Sequence, residues 1–259
     1  MRIIYGSALF NYIKSFEIQN QAIDLLRISD AEDLLFLSVF DNLEITENGR
    51  QTGGERMNQK MVKLYTRQND KTLYQLERDG RIINHRVYVE MHFGDIAPLF
   101  MESYDWFTQE AAKRVPKPED VHAPIWCSIS VENCLKPIPG TVVYELEVPE
   151  DQIIYFDDVK WDYVLNRIYL PKDAEDEKAY KQHLKELGVV NGFEFFEGRY
   201  KGMYPEEVKR IRESWKRAFE IDEWTIFNVC GNLWEIRKEW VRRIVRPGET
   251  VGEKKDCDT

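Results

Sequence analysis

Residues 141–166 read TVVYELEVPEDQIIYFDDVKWDYVLN. Within TVVYELEV, Val142, Tyr144, Leu146 and Val148 alternate with Val143, Glu145 and Glu147, the period expected of a strand with one side on a core and one side wet. The acidic turn PEDQ ends that strand, IIYFD at 153–157 forms a short second one, and VKWDYVLN has a helical pattern. Strand, turn, strand and helix in this order predict an α+β fold.

The flanking segments agree. Upstream, MVKLYTRQ at 61–68 reads as a strand with Val62, Leu64 and Thr66 on one face and Lys63, Tyr65 and Arg67 on the other. A helix follows in NDKTLYQLERDG, with Asn69 or Asp70 as cap, Leu73 and Leu76 inward and Gly80 at its end. Residues 95–114 predict a longer helix bearing Phe100, Tyr104, Trp106 and Phe107, stopped by Pro116 and Pro118. APIWCSIS at 123–130 predicts another strand. Downstream come a charged helix at 172–187, a second helix from Pro205 to Phe219, and a strand, turn and strand in IFNVCGNLWEIRKEWVRRIV. One domain is therefore expected over residues 57–247, with a disordered polar tail at 248–259.

Residues 1–56 predict two short helical segments and a linker, ITENGRQTGGER, that has no apolar period. Gly53, Gly54, Glu55 and Arg56 can be encoded by a purine-rich run resembling a ribosome-binding site just ahead of Met57. Two readings follow: a translation start at Met57 or Met61, or a genuine N-terminal helical arm. The intact mass of the protein expressed from its native promoter separates them.

Composition narrows the function classes. Hydrophobic residues at 43% and aromatics at 13% supply a core, and no apolar run is long enough for a membrane span or a secretory signal. A cytoplasmic protein without a membrane partner is expected. The net charge of -10 argues against broad nucleic-acid binding, although Lys209–Arg217 and Arg237–Arg246 are locally basic. Cys127, Cys134, Cys230 and Cys257 lack the close spacing of a zinc site, and His85, His92, His122 and His183 are scattered, so no metal is expected. Asp157, Asp158 and Asp162 are read as a turn and a helix cap rather than a metal cluster. Phosphate-loop, dinucleotide-fingerprint, serine-hydrolase and kinase signatures are all missing.

Several stretches taken in order, KLYTRQ at 63–68, YDWF at 104–107, APIWCSIS at 123–130, residues 142–166, ESWKRAFEID at 213–222 and NLWEIRKEWV at 232–241, resemble the bacterial and phage family called Domain of Unknown Function 3841. A more distant similarity links the chain to ADP-ribosyltransferases. That similarity implies a mostly antiparallel, split β-sheet flanked by helices. It also implies a site built from an Arg on the first strand, a Ser on a middle strand and a Glu on a late strand. In this sequence those are Arg67, Ser128 with Ser130, and Glu235, with Trp126 and Asn232 beside them as NAD-binding residues.

The chemistry suits the residue types. Breaking the nicotinamide–ribose bond of NAD builds positive charge on the ribose, which a fixed carboxylate such as Glu235 stabilises. Arg67 can grip a phosphate, Ser128 or Ser130 can orient the ribose, and Trp126 can stack near the nicotinamide. The similarity leaves the acceptor open: protein, nucleic acid or small molecule. Each residue also has a structural reading. Arg67 can be a strand-end cation paired with an acid, Ser128 and Ser130 small residues for helix packing, Glu235 a partner of Arg237 or Lys238, and Trp126 a core side chain. The competing function is a non-catalytic binding or regulatory module acting in phage–host conflict; an RNA-acting protein is disfavoured by the charge.

Overall fold

The computed structural model describes residues 60–87, 90 and 97–252, so the readings of residues 1–56 and of the end of the tail lie outside the described residues. In chain order the elements are β1 (Met61–Asn69), α1 (Thr72–Asp79), β2 (Arg81–Ile83), α2 (Ala97–Ala111), β3 (Ile125–Ser128), β4 (Thr141–Pro149) and β5 (Ile154–Asp157). They continue with α3 (Asp158–Leu165), α4 (Ala174–Glu186), α5 (Pro205–Ser214), β6 (Val229–Leu233), β7 (Glu235–Arg237) and β8 (Val241–Val245).

Six strands form one sheet in the order β5-β6-β3-β1-β4-β8, every neighbouring pair antiparallel. β1 and β4 are its spine, in register along their whole length from Met61↔Pro149 to Asn69↔Thr141. Pleating sends Leu64, Val142, Tyr144, Leu146 and Val148 to one face, where they bury against Leu76, Ile82, Ile236 and Trp240. The side expected to be wet is only partly so: Glu145 and Glu147 are half-buried, but Val143 is fully enclosed opposite Val245.

Over the β5-β6-β3 half of that second face lie α2, α3 and the segment after α5, which makes this the helix side. Phe107 is its hub, with ring centroids 5.0–5.2 Å from those of Trp126, Phe156, Trp161 and Phe219. Edge-to-face and tilted packing of this kind suits the ring quadrupoles. α5 stops earlier than its periodicity predicts. The Ser214 hydroxyl donates to Ile211 O at 2.6 Å and accepts the amide of Leu170, and the chain tightens into a 3-10 turn over Trp215–Phe219.

The C-terminal stretch holds three strands rather than two. β3 and β6 pair from Ser128↔Cys230 to Ile125↔Leu233. Continuing that register would set Ala123 against Glu235, but Glu235 instead pairs with Ile83 and Ala123 bridges Asn84. The short β2, overlooked in the sequence, wedges between the diverging strands and splits the sheet. Residues 248–252 turn back onto β4 and β8: Gly252 N donates to Glu145 and Arg243 to Thr250 O.

Replacing Phe107, fully buried at the hub, with Ala is expected to cost about 3–5 kcal/mol in urea unfolding, whereas Tyr74→Ala on the exposed face of α1 should cost under about 1 kcal/mol. Equal midpoints for the two variants would contradict this account of the core.

Candidate functional site

The registers draw two polar rows across the helix side. One runs Val143, Arg67, Trp126, Asn232, Ile154; the next runs Glu145, Tyr65, Ser128, Cys230, Phe156. Arg67, Trp126, Ser128 and Asn232 therefore come from three adjacent strands and share one side of the sheet.

Glu235 lies beyond the split, and strict alternation from Asn232 would turn it to the opposite side. The alternation slips instead. Leu233 and Ile236 are three residues apart yet pack in the same core, while Ile83, directly opposite Glu235, packs against the helix-side cluster. Glu235 is thus returned to the side that carries Asn232.

Most of these side chains already have partners. Arg67 Nη1 donates to Lys136 O at 3.1 Å, in the segment between β3 and β4. Ser128 Oγ donates to Ser130 O at 2.8 Å, and Ser130 Oγ accepts the Asn133 amide at 3.2 Å, so both serines brace the turn that leaves β3. Trp126 is half-buried among Tyr104, Phe107, Phe156 and Trp161, at the border between the helix-covered strands and β1. Asn232 is the exception: it is fully buried, and neither its amide oxygen nor its amide nitrogen has a hydrogen-bond partner.

Glu235 is held by two guanidinium groups. Arg81 Nη1 reaches Oε2 at 2.7 Å and Arg237 Nε reaches Oε1 at 2.6 Å, while Arg81 also contacts Asp120. Burial alone would raise the Glu235 pKa, but the hydrogen bonds from Arg81 and Arg237 outweigh it and hold the carboxyl below its ordinary range. The sequence reading named Arg237 as a partner; it missed Arg81, which becomes a neighbour only through the β2 wedge.

It also grouped three aspartates that the fold treats differently. Asp157 caps α3, its Oδ1 accepting Lys160 N at 3.0 Å. Asp158 lies against Cys230, and burial, with Asp162 and Asp157 nearby, pushes its pKa up from the ordinary 3.8 to about 7. Burial raises Asp162 to about 6. The Cys230 thiol is pushed well up by burial, with Asp158 adding to the effect. No spacing in the sequence signals this environment, since it arises where the start of α3 folds over β6.

A split antiparallel sheet with helices over one side, and a polar row beneath them, defines an α+β protein with its candidate site on the sheet rather than in a phosphate-binding loop. The chain belongs to the family described as Domain of unknown function (DUF3841), whose model matches residues 63–242. No curated protein and no solved structure matches it.

The raised carboxyls give a pH signature. Asp158 keeps its proton in the folded chain up to about 7 but gives it up near 3.8 once unfolded, so the fold binds more protons throughout that window and its stability falls as pH rises through it. Asp158→Asn removes this loss. The melting temperature of the variant relative to the parent should climb from about pH 4 to about pH 8. A difference that stays constant across the range would contradict the environment described for Asp158.

Proposed function

We propose that the protein binds NAD on the helix side of its sheet and transfers ADP-ribose from it to an acceptor. The observation that supports this reading is that Arg67, Trp126, Ser128 and Asn232 share the helix side of the six-stranded sheet while Glu235, on the two-stranded sheet beyond the split, faces that same side, in the strand order that the distant similarity to ADP-ribosyltransferases implies. The ordered split sheet is compatible with the same resemblance.

The donor set suits the ligand. Arg67 supplies a guanidinium for a phosphate, and the half-buried Trp126 supplies an aromatic surface. The unpaired amide of Asn232 offers both a donor and an acceptor inside the protein, the pair that a carboxamide or a ribose hydroxyl requires. Bound NAD supplies an ADP-ribosyl group activated by the departure of nicotinamide. Glu235 is kept ionised by Arg81 and Arg237, so its negative charge is available at neutral pH to stabilise positive charge nearby. Its two guanidinium partners fix its direction; one of them has to yield an oxygen to a ribose hydroxyl. Arg237, exposed on its outer side, is the better placed to do so.

Nicotinamide release from NAD by the purified chain, with cell extract as acceptor, tests the reading. Glu235→Gln should lower the rate at least about 100-fold, and Arg67→Ala should mainly raise KM. Both variants need unchanged thermal unfolding for the comparison to count. Equal release by parent and Glu235→Gln, or no release with any extract, removes the transferase and leaves a binding module.

A further inference from the structure

The two faces of the six-stranded sheet are covered unequally. On the face away from the helix side, cover comes from α1, the β2–β7 pair and the turn at Trp240. Among the described residues that cover runs out near the starts of β1 and β5, where Val62 and Tyr155 pack on the rim of the core and stay half-buried. The ring of Trp224 rests on Tyr155 with centroids 5.0 Å apart, and Trp224 itself is 59% exposed. Phe227, in the same loop, is 66% exposed. The loop backbone is nonetheless fixed. Lys160 reaches Asp222 at 2.8 Å, Asn133 Nδ2 donates to Ile226 O at 3.2 Å, and Val229 N donates to Thr225 O at 3.1 Å. Holding large aromatic side chains in water on a fixed backbone forgoes hydrophobic free energy that a covering segment recovers.

The chain enters the fold at this same rim. Lys60 follows the alternation of Leu64 and Val62 on β1, and Glu150 that of Leu146 and Val148 on β4, so both lie on this face. Lys60 Nζ contacts Glu150 at 2.6 Å, and Lys60 O accepts the Glu150 amide at 2.9 Å. Burial, with the charge of Glu150 adding to it, raises the Tyr155 phenol, so Glu150 and Tyr155 are neighbours. A continuous series of neighbours therefore leads from Lys60 through Glu150 and Tyr155 to Trp224.

Ahead of Lys60 the sequence carries LLFLSVF at 34–40, apolar but for Ser38 and without a charge. We propose that residues 34–40 of this chain dock over Tyr155 and Trp224 and close that face of the sheet. Residues 41–59 form the tether, and a chain of that length has a root-mean-square reach of about 25 Å. β1 and β5 are three strand spacings apart, about 15 Å, so the reach suits the span and keeps the local concentration of the run high. A second copy offers the same run without that tether. Glu220, Asp222 and Glu223 border Trp224 along the loop, which repels an anionic lipid surface or an acidic partner but not an uncharged segment. The docking face is opposite the proposed NAD site, so the inference does not rest on that activity.

Photo-cross-linking of the full chain tests this. With p-benzoylphenylalanine in place of Trp224, an equal mixture of isotope-labelled and unlabelled chains is irradiated and the products are mapped by mass spectrometry. Cross-links from position 224 to residues 33–41 are expected within single copies, at least about five-fold more than from the same photoprobe in place of Met203, which is 61% exposed elsewhere. Acrylamide quenching reports the same contact without a photoprobe, the Trp224 contribution being the difference between parent and Trp224→Phe. Replacing Leu35 and Phe36 together by Asp should raise that contribution at least about two-fold. Cross-links joining only differently labelled copies would make the face an interface between copies and overturn the proposal. So would an absence of cross-links to residues 33–41, equal yields from positions 224 and 203, or quenching that the two Asp substitutions leave unchanged.

Discussion

Past Leu233, the backbone of β6 must find new hydrogen-bond partners, because β3 no longer runs alongside it. A buried strand cannot leave its amides and carbonyls unpaired. β2 resolves this by pairing with β7 on one side and bridging Ala123 on the other. Much of the site's geometry depends on that arrangement. The slip in alternation at the break carries Ile236 into the core of Leu233 and turns Glu235 to the helix side. The inserted strand also delivers Arg81 to Glu235. Trp234 fixes the position of the break, its indole N–H donating to Val115 O at 2.9 Å and tying the strand to the turn that follows α2. Remove the wedge, and Glu235 would lose both its direction and one of its two guanidinium partners.

Much of this fold was legible in residues whose effect is local. Alternation in TVVYELEV marks β4, Gly80 closes α1 with φ of 70°, and Pro205 opens α5 at its first helical position. What escaped were features created by distant pairing. Arg81–Ile83 is too short to declare itself as a strand, and its role appears only against β7. The end of α5 was misjudged because Trp215 and Phe219 continue a helical spacing while Ser214 diverts the backbone to Leu170. For the site, sequence order placed Arg67, Ser128 and Glu235 on separate strands. It could not reveal that the two serines brace their own turn, or that Asn232 lacks a partner, since both facts are settled by neighbours in space.

The helix side also carries carboxylates in two opposite electrostatic conditions. Glu235 is buried deeply enough for desolvation to matter, yet Arg81 and Arg237 keep it charged; Asp158 and Asp162 have no such help, and burial drives them toward the neutral form. Environment rather than residue type assigns the two states, as it does wherever acids of one kind must differ at one pH. The cations nearest α3 are already committed to Asp222, Glu213 and backbone carbonyls. The fold thus holds one carboxylate kept charged by its guanidinium partners and one pair driven toward the neutral form by burial, on the same side of a sheet.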